Sequence, residues 1–406
     1  MPDSDTPLMV VPSRSQLQAG AVWITIANWA DGLRERYGDV EIRTADGPIT
    51  PERARTEAFD DRPIAPRSIR QRLPTLRVLA KDLRWAWRGV RRVVGDARHP
   101  VPDPKSVPFV WQHHDLFQYS GLVLARRAGI PFVLFVDAPI VWEARKWAVR
   151  RPGWSTLVEW LGERIVLRRA DVVLCVSDAV ADQTVEMGVD SANVMVTPCS
   201  AIPPDPPPDR AACRAELGVD HRFVVGWVGS FRPFHALDTL LEALDDERVR
   251  AIDPVVVLVG DGVERQRIVE RLTALGIDHR CPGSLPHDRV YRHIAAFDCG
   301  IVTASPGDDF HYSPLKLKEY MAMSTPAIVP AVGEMDLALD EGVNAVKYDP
   351  GDADGLAAAI VRAASDDAIR DELGRAGRRA FEARFSQIAQ VEALHERLVA
   401  LRSVSR

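Results

Sequence analysis

A proline, a lysine two positions on and a carboxylate three beyond that stand in DDFHYSPLKLKEYMAMSTPAIVP, Asp308 to Pro330. Ser313 is predicted to cap a helix whose first residue is Pro314, where proline's missing N–H costs nothing. The loop before it then lies where free amides and the positive end of the helix dipole gather, an anion site best suited to phosphate. A second loop, GSFRPFHA (Gly229 to Ala236), lets backbone approach a ligand at Gly229 and carries Arg232 and His235 within reach of a diphosphate. Alone, it reads equally as an ordinary strand-to-helix turn. GDGVER, from Gly260 to Arg265, reads more simply as a tight turn. In WQHHDLF, His113, His114 and Asp115 follow a strand. Either histidine can orient a hydroxyl, and solvated loop histidines fit the pattern as well. No spacing here forms a metal triad.

The elements that must hold these loops alternate. FVVGWVG (Phe223 to Gly229), VVVLVG (Val255 to Gly260), CGIVTA (Cys299 to Ala304) and PAIVPA (Pro326 to Ala331) are apolar throughout, as strands covered on both faces are. Helical patterns such as LDTLLEAL and VYRHIAAF lie between them, which predicts a parallel sheet with crossover helices. VPFVWQ, PFVLFVD and DVVLCVS repeat the alternation in the first half. The proline-dense TPCSAIPPDPPPDR, Thr197 to Arg210, reads as a stiff linker. The fold class is therefore α/β, with two Rossmann-like domains facing across a cleft, residues 1–203 and 204–385. A last helix over about 386–406 is predicted to pack back on the first domain.

At 406 residues the chain is long for one core. Its formal net charge of −6 argues against nucleic acid as a partner. Five widely spaced cysteines without a CxxC pair suggest neither a disulfide framework nor zinc and fit a reducing cytosol. The N-terminus lacks the pattern of a signal peptide, and no apolar run is long enough to span a bilayer, so a cytoplasmic protein is expected.

GSFRPFHALDTLLEAL, GDGVER, PGSLPHDRV and DDFHYSPLKLKEYMAMSTPAIV occur in the order and spacing of the donor domain of retaining glycosyltransferases of family 4, and the chain resembles that family. ARRAGIPFVLFVDAPIVWEA and LRRADVVLCVSDAVADQTVEMGV look like its acceptor-domain segments, and the glycine of QAGAVW, Gly20, matches near the start. The resemblance implies a GT-B fold, a nucleotide-sugar donor, no cofactor and no catalytic metal. It also implies a front-face substitution assisted by the leaving diphosphate. It places Glu319 on the ribose hydroxyls as the second glutamate of a Glu-x7-Glu pair, with those hydroxyls rather than core groups as its partners. Gly20, Gly229, Ser230, Arg232, His235, Gly260, Ser284, Leu285, Ser313, Pro314, Leu315 and Lys316 fall on the donor side. The catalytic set it implies is His311, Glu319, Asp137, Arg232 and Lys316. On the acceptor side stand His113, His114, Asp115, Asp137 and Trp142, toward a carbohydrate, lipid-linked or small-molecule acceptor.

The chain departs from the family at four places. His311 stands where the first glutamate falls, Ser230 and His235 where an arginine and a lysine clamp the diphosphate, Asp137 where many members have histidine, and PCSAI replaces the hinge motif. A branch with a G-S-F-x-P-W-H-G loop shares several of these changes. A nucleotide-sugar-binding protein without full activity is the alternative they leave.

From Arg67 to Arg98 the chain has ten Lys/Arg against two Asp, interleaved with leucine, valine and tryptophan. Such a helix either lies on an anionic bilayer, making the protein peripheral on the inner membrane face, or packs with a solvated basic face.

Overall fold

The computed structural model describes residues 6–12, 21–57, 74–96, 103–147, 149–307 and 310–404. Gly20, residues 67–73 and 97–98 of the basic segment, Asp308 and Asp309 lie outside them. The chain divides into two compact units, residues 1–198 with 390–406, and residues 199–389.

The first unit is built on seven strands: β1 (Leu8–Val10), β2 (Glu41–Thr44), β3 (Gly47–Ile49), β4 (Val110–His113), β5 (Phe132–Val136), β6 (Val172–Cys175) and β7 (Val194–Val196). Their order is β3-β2-β1-β4-β5-β6-β7. Neighbours run parallel except β3, which turns back antiparallel on β2. Trp29, Trp111 and Phe135 stack on one face of the central strands and are fully buried. Helix Gln387–Val404 runs into this unit from its fourth residue on. There His395 Nδ1 meets the Tyr37 hydroxyl at 2.9 Å, Glu392 pairs with Arg36 at 2.8 Å, and Arg402 donates to the Pro108 carbonyl at 2.9 Å.

In the second unit β8 (Val224–Val228), β9 (Val255–Val259), β10 (His279–Gly283), β11 (Cys299–Ile301), β12 (Ala327–Pro330) and β13 (Val346–Tyr348) form a wholly parallel sheet. The order is β10-β9-β8-β11-β12-β13, the Rossmann winding. Side chains alternate between two cores. Val255, Val257 and Val259 pack with Phe297, Leu317 and Tyr320, whereas Val256 and Leu258 pack with Trp227, Leu240 and Ile360. This is the double burial that the unbroken apolar runs demand. From Thr197 to Asp209 no helix or strand forms, apart from a bridge between Ala201 and Ser386.

Candidate active site

In a wound sheet the strand order reverses between two neighbours, and the connections leaving their carboxyl ends part to opposite faces and open a crevice. In the second unit these strands are β8 and β11. They pair only at Cys299 with Val225 and Gly300 with Gly226 before separating. Tyr320 fills the fork: its phenol oxygen accepts from the Val228 amide at 2.9 Å and donates to the Ile301 carbonyl at 3.4 Å. Beyond it, the Thr303 hydroxyl donates to the His235 carbonyl, tying the loop after β11 to the loop after β8.

Gly229 opens the β8 loop at φ +155°, and its amide donates to Val259 at 2.9 Å. A Cβ on Gly260, itself at φ +132°, would stand 1.9 Å from the Gly229 carbonyl oxygen, so the two loops pass at backbone contact. GDGVER is therefore more than a turn: Gly260 lets the β9 loop support the β8 loop. A Cβ on Gly229 would lie 2.9 Å from Lys316 Nζ. The space that glycine vacates holds an ammonium group, which sits 4.2 Å above the Trp227 ring.

Lys316 is buried and has no carboxylate within ion-pair distance among the described residues. Burial pulls its ammonium down to about 7, against the opposing influence of Glu319. The nearby His235 imidazole is driven down to about 2 by burial, then by Lys316 and Arg232. Its Nε2 lies 3.3 Å from the Ser230 hydroxyl. Two basic side chains and an imidazole biased toward its neutral form thus collect near the end of β8 without a partnering carboxylate among the described residues, and an incoming anion would supply the missing charge.

The helix after the β11 loop starts one residue later than its sequence signature suggests, at Leu315, with Pro314 as its N-cap. Ser313 does not cap it. The Ser313 hydroxyl accepts from the Cys199 amide at 3.0 Å and from Lys318 Nζ at 2.8 Å, and Lys318, fully buried, also pairs with Glu334 at 2.5 Å. Ser313 is therefore a strut of the loop. His311 is buried, its ring 5.5 Å from that of Tyr312, which in turn meets Phe234 at 6.0 Å. Aromatic contacts so link the residues before the helix to the turn that carries His235.

Glu319 corrects a second expectation. It is buried and has a protein partner, His287 Nε2, at 2.8 Å. His287 opens the helix His287–Ala296 after β10, and its ring also packs 4.9 Å from Tyr291. Sequence reasoning gave His287 no role, although it lies within PGSLPHDRV. In that segment Ser284 is exposed and Leu285 packs on the unit's core.

The first unit brings a second group together at its own point of reversal, the end of β4. His113 ends β4 and Asp137 follows β5, and the parallel register lets His113 Nε2 reach Asp137 Oδ2 at 2.8 Å. The carboxylate remains well exposed while the ring is buried. Burial pulls the His113 imidazole down, but the hydrogen bond and charge of Asp137, with Asp115 behind, outweigh it and raise the group above its ordinary value. His114 and Asp115 are not solvated loop residues. His114 Nε2 meets Glu163 at 3.1 Å, both side chains being inaccessible, and Glu163 also accepts from the amides of Ile140 (2.8 Å) and Val141 (3.1 Å). Glu163, which the sequence did not single out, thus caps the helix Ile140–Lys146 with its carboxylate and fixes His114. Asp115 is buried, its carboxyl raised by that burial, and it accepts from the Leu116 amide at 2.8 Å. Trp142 is half-buried beneath Lys146 Nζ, 3.7 Å above its ring. Among the described residues no group of three His, Cys, Asp or Glu could hold a metal ion.

Asp137→Asn tests the pair. With the carboxylate gone, burial is the dominant influence left on His113, so its titration is expected to move from above to below the ordinary histidine value of about 6.5. Because the folded value in the native protein is raised, the pair's stabilisation is complete below the unfolded value and fades as pH rises through the folded one. Histidine proton shifts followed by NMR would show the move. A midpoint unchanged by the substitution would mean that the two groups are not coupled.

The chain has the fold of the GT-B glycosyltransferases, two Rossmann-like units each built on a largely parallel sheet. Residues 20–200 match the family model for the glycosyl transferase 4-like domain, and residues 222–366 match glycosyl transferases group 1. D-inositol 3-phosphate glycosyltransferases of Saccharomonospora viridis and Geodermatophilus obscurus are each 31% identical over 248 residues, 58% of this chain and 56% and 53% of theirs. The chain is thus aligned to little more than half the length of these curated relatives. Similar solved structures include Anabaena HepE in complex with UDP-glucose (TM-score 0.67, 16% identity, 97% of this chain and 99% of that one). A sucrose-phosphate synthase from Thermosynechococcus elongatus gives a TM-score of 0.66 at 19% identity, over 98% and 100% of the two chains.

Proposed function

We propose that the protein is a retaining, metal-independent glycosyltransferase that moves a sugar from a nucleoside diphosphate sugar to an acceptor hydroxyl. The observation that carries this reading is Lys316, a buried amine with no ion-paired carboxylate among the described residues, set at a helix start beside two glycine loops. The charged form of such a group gains most when an anion arrives, and a diphosphate is the anion that loops at the ends of β8 and β11 fit. Lys316, Arg232 and the amides of Leu315 and Lys316 stabilise the charge that develops on the leaving group. Glu319, steadied by His287, takes the ribose hydroxyls. The C1–O bond to the diphosphate breaks and a C1–O bond to the acceptor forms on the same face, the acceptor's proton passing to a diphosphate oxygen. In the first unit the exposed Asp137 carboxylate, backed by His113, is the acceptor's hydrogen-bond partner. Kinship with inositol-phosphate glycosyltransferases favours a polyol or polyol phosphate among carbohydrate, lipid-linked and small-molecule acceptors.

The test is transfer from UDP, GDP, dTDP and ADP sugars to a panel of polyols and inositol phosphates in the presence of EDTA, with the product's anomeric configuration read by NMR. An α-linked product from an α-linked donor without metal is expected. Inversion, or dependence on a divalent ion, would overturn the mechanism. Donor binding with neither transfer nor donor hydrolysis would favour a binding protein, the reading that His311 in place of a carboxylate suggests.

A further inference from the structure

The helix Pro74–Asp96 has one face that packing explains and one that it does not. Asp82, Trp85, Gly89 and Arg92, spaced three and four apart, face inward. Asp82 is buried against Arg151 (2.9 Å) and the Trp154 indole (3.0 Å), Trp85 packs with Leu116, Val141 and Val158, and Arg92 donates to the Val11 carbonyl at 2.8 Å. On the opposite face Leu76, Leu83, Trp87, Val90 and Val94 fall on one narrow line along an α-helix. Leu83, Trp87 and Val90 are 63%, 57% and 65% exposed, which a solvated basic face does not explain. Arg77, Lys81, Arg84, Arg88 and Arg91 line one flank of this stripe, exposed and without an ion pair to a carboxylate among the described residues. Leu157 and Trp160, 59% and 52% exposed, lie on the run from Ser155 to Leu167, whose Val158 packs with Trp85.

We infer that this face docks on an anionic lipid surface, the helix lying in the plane of the interface. At about 35 Å, the helix is long enough to lie along a bilayer, and no described helix is both long and apolar enough to cross one. Charge complementarity selects the partner. The chain as a whole is acidic at −6, yet the flank beside the apolar stripe is wholly cationic. An apolar line with cations alongside matches acyl chains beneath phosphate headgroups. A nucleic-acid backbone would use the cations and leave leucine, valine and tryptophan without a role. The inference does not depend on the activity proposed above, because every residue it uses lies outside the donor site.

Sedimentation of the full chain with vesicles tests it. Binding is expected to vesicles carrying phosphatidylglycerol, to weaken at high salt, and to be slight on pure phosphatidylcholine. Removing each arginine should cost about fivefold in partition, so Arg84→Gln with Arg88→Gln and Arg91→Gln should cost roughly a hundredfold. Trp87→Ser with Val90→Ser should abolish binding, with melting temperature and nucleotide-sugar binding unchanged in both variants. Equal binding to both kinds of vesicle, or binding to neither, would overturn the inference. So would a self-association in solution that Trp87→Ser with Val90→Ser dissolves while vesicles remain unbound, since the stripe would then be an interface between copies of the chain.

Discussion

Lys316→Met is expected to raise the melting temperature of the ligand-free protein and, in the same stroke, to cut its donor turnover sharply. The ammonium is buried, and its value of about 7 records how strongly burial disfavours the charged form. A lysine whose folded value lies below its unfolded one destabilises the fold fully at pH below the folded value. That penalty is relieved as pH climbs toward the ordinary lysine range of about 10.4. Methionine fills similar space without charge, so a gain of a few kcal/mol is expected near neutrality, less the contact with the Trp227 face, or on the order of 5 °C. Turnover should fall by about 10²–10³-fold, the usual cost of one donor to developing charge. The native protein's affinity for a UDP-sugar should be flat at acid pH and weaken as pH rises through about 7, because bound diphosphate favours the cation. The variant should show no such slope. Thermal melts and calorimetric titrations at several pH values check both halves, and a variant that melts lower while binding a UDP-sugar normally would take Lys316 out of the site.

Glu319→Ala should weaken nucleotide-sugar binding roughly a hundredfold, by about 3 kcal/mol, through two lost charge-assisted hydrogen bonds to ribose. The structure adds a cost that the sequence did not foretell. The 2.8 Å hydrogen bond to His287 would be lost as well, so stability should also fall by about 1 kcal/mol. Glu319→Gln separates the effects, since glutamine keeps an acceptor for the imidazole while losing the charge. It should recover most of the stability and little of the affinity. If Glu319→Ala binds UDP, GDP and dTDP sugars as the native chain does, the carboxylate serves the fold alone.

What the sequence made legible follows from how far apart interacting residues lie. β4, β5, β6, β8, β9, β11 and β12 announce themselves as unbroken apolar runs because burial on both faces is a local property of the chain. β10, HRCPG, and the short edge strands β3 and β13 carry no such run, since an edge asks less of its side chains. Ser313 before Pro314 bears the ordinary mark of a helix cap, yet its hydroxyl is claimed by Cys199 and Lys318. The Cys199 amide lies 114 positions away, and no local pattern reports it. His287 and Glu163 were passed over for the same reason, their partners standing 32 and 49 positions off. The loops at the ends of β8 and β11 were readable because glycine and proline constrain backbone wherever they occur, whereas a carboxylate's partner depends on the fold.

The return of the last helix to the first unit bears on synthesis at the ribosome. Residues 199–389 form one unbroken stretch and can complete their sheet as soon as they emerge. The earlier unit cannot. Its edge beside Tyr37, Arg36 and Pro108 awaits His395, Glu392 and Arg402. At ordinary elongation rates those partners arrive roughly 10–40 s after residue 198 has been made. During that interval the nascent first unit exposes the seat of Val391, Leu394 and Leu398, which are buried in the finished protein. It is the stage at which chaperones would be expected to engage the chain, and a separately expressed first unit would need residues 390–406 joined to it to be sound.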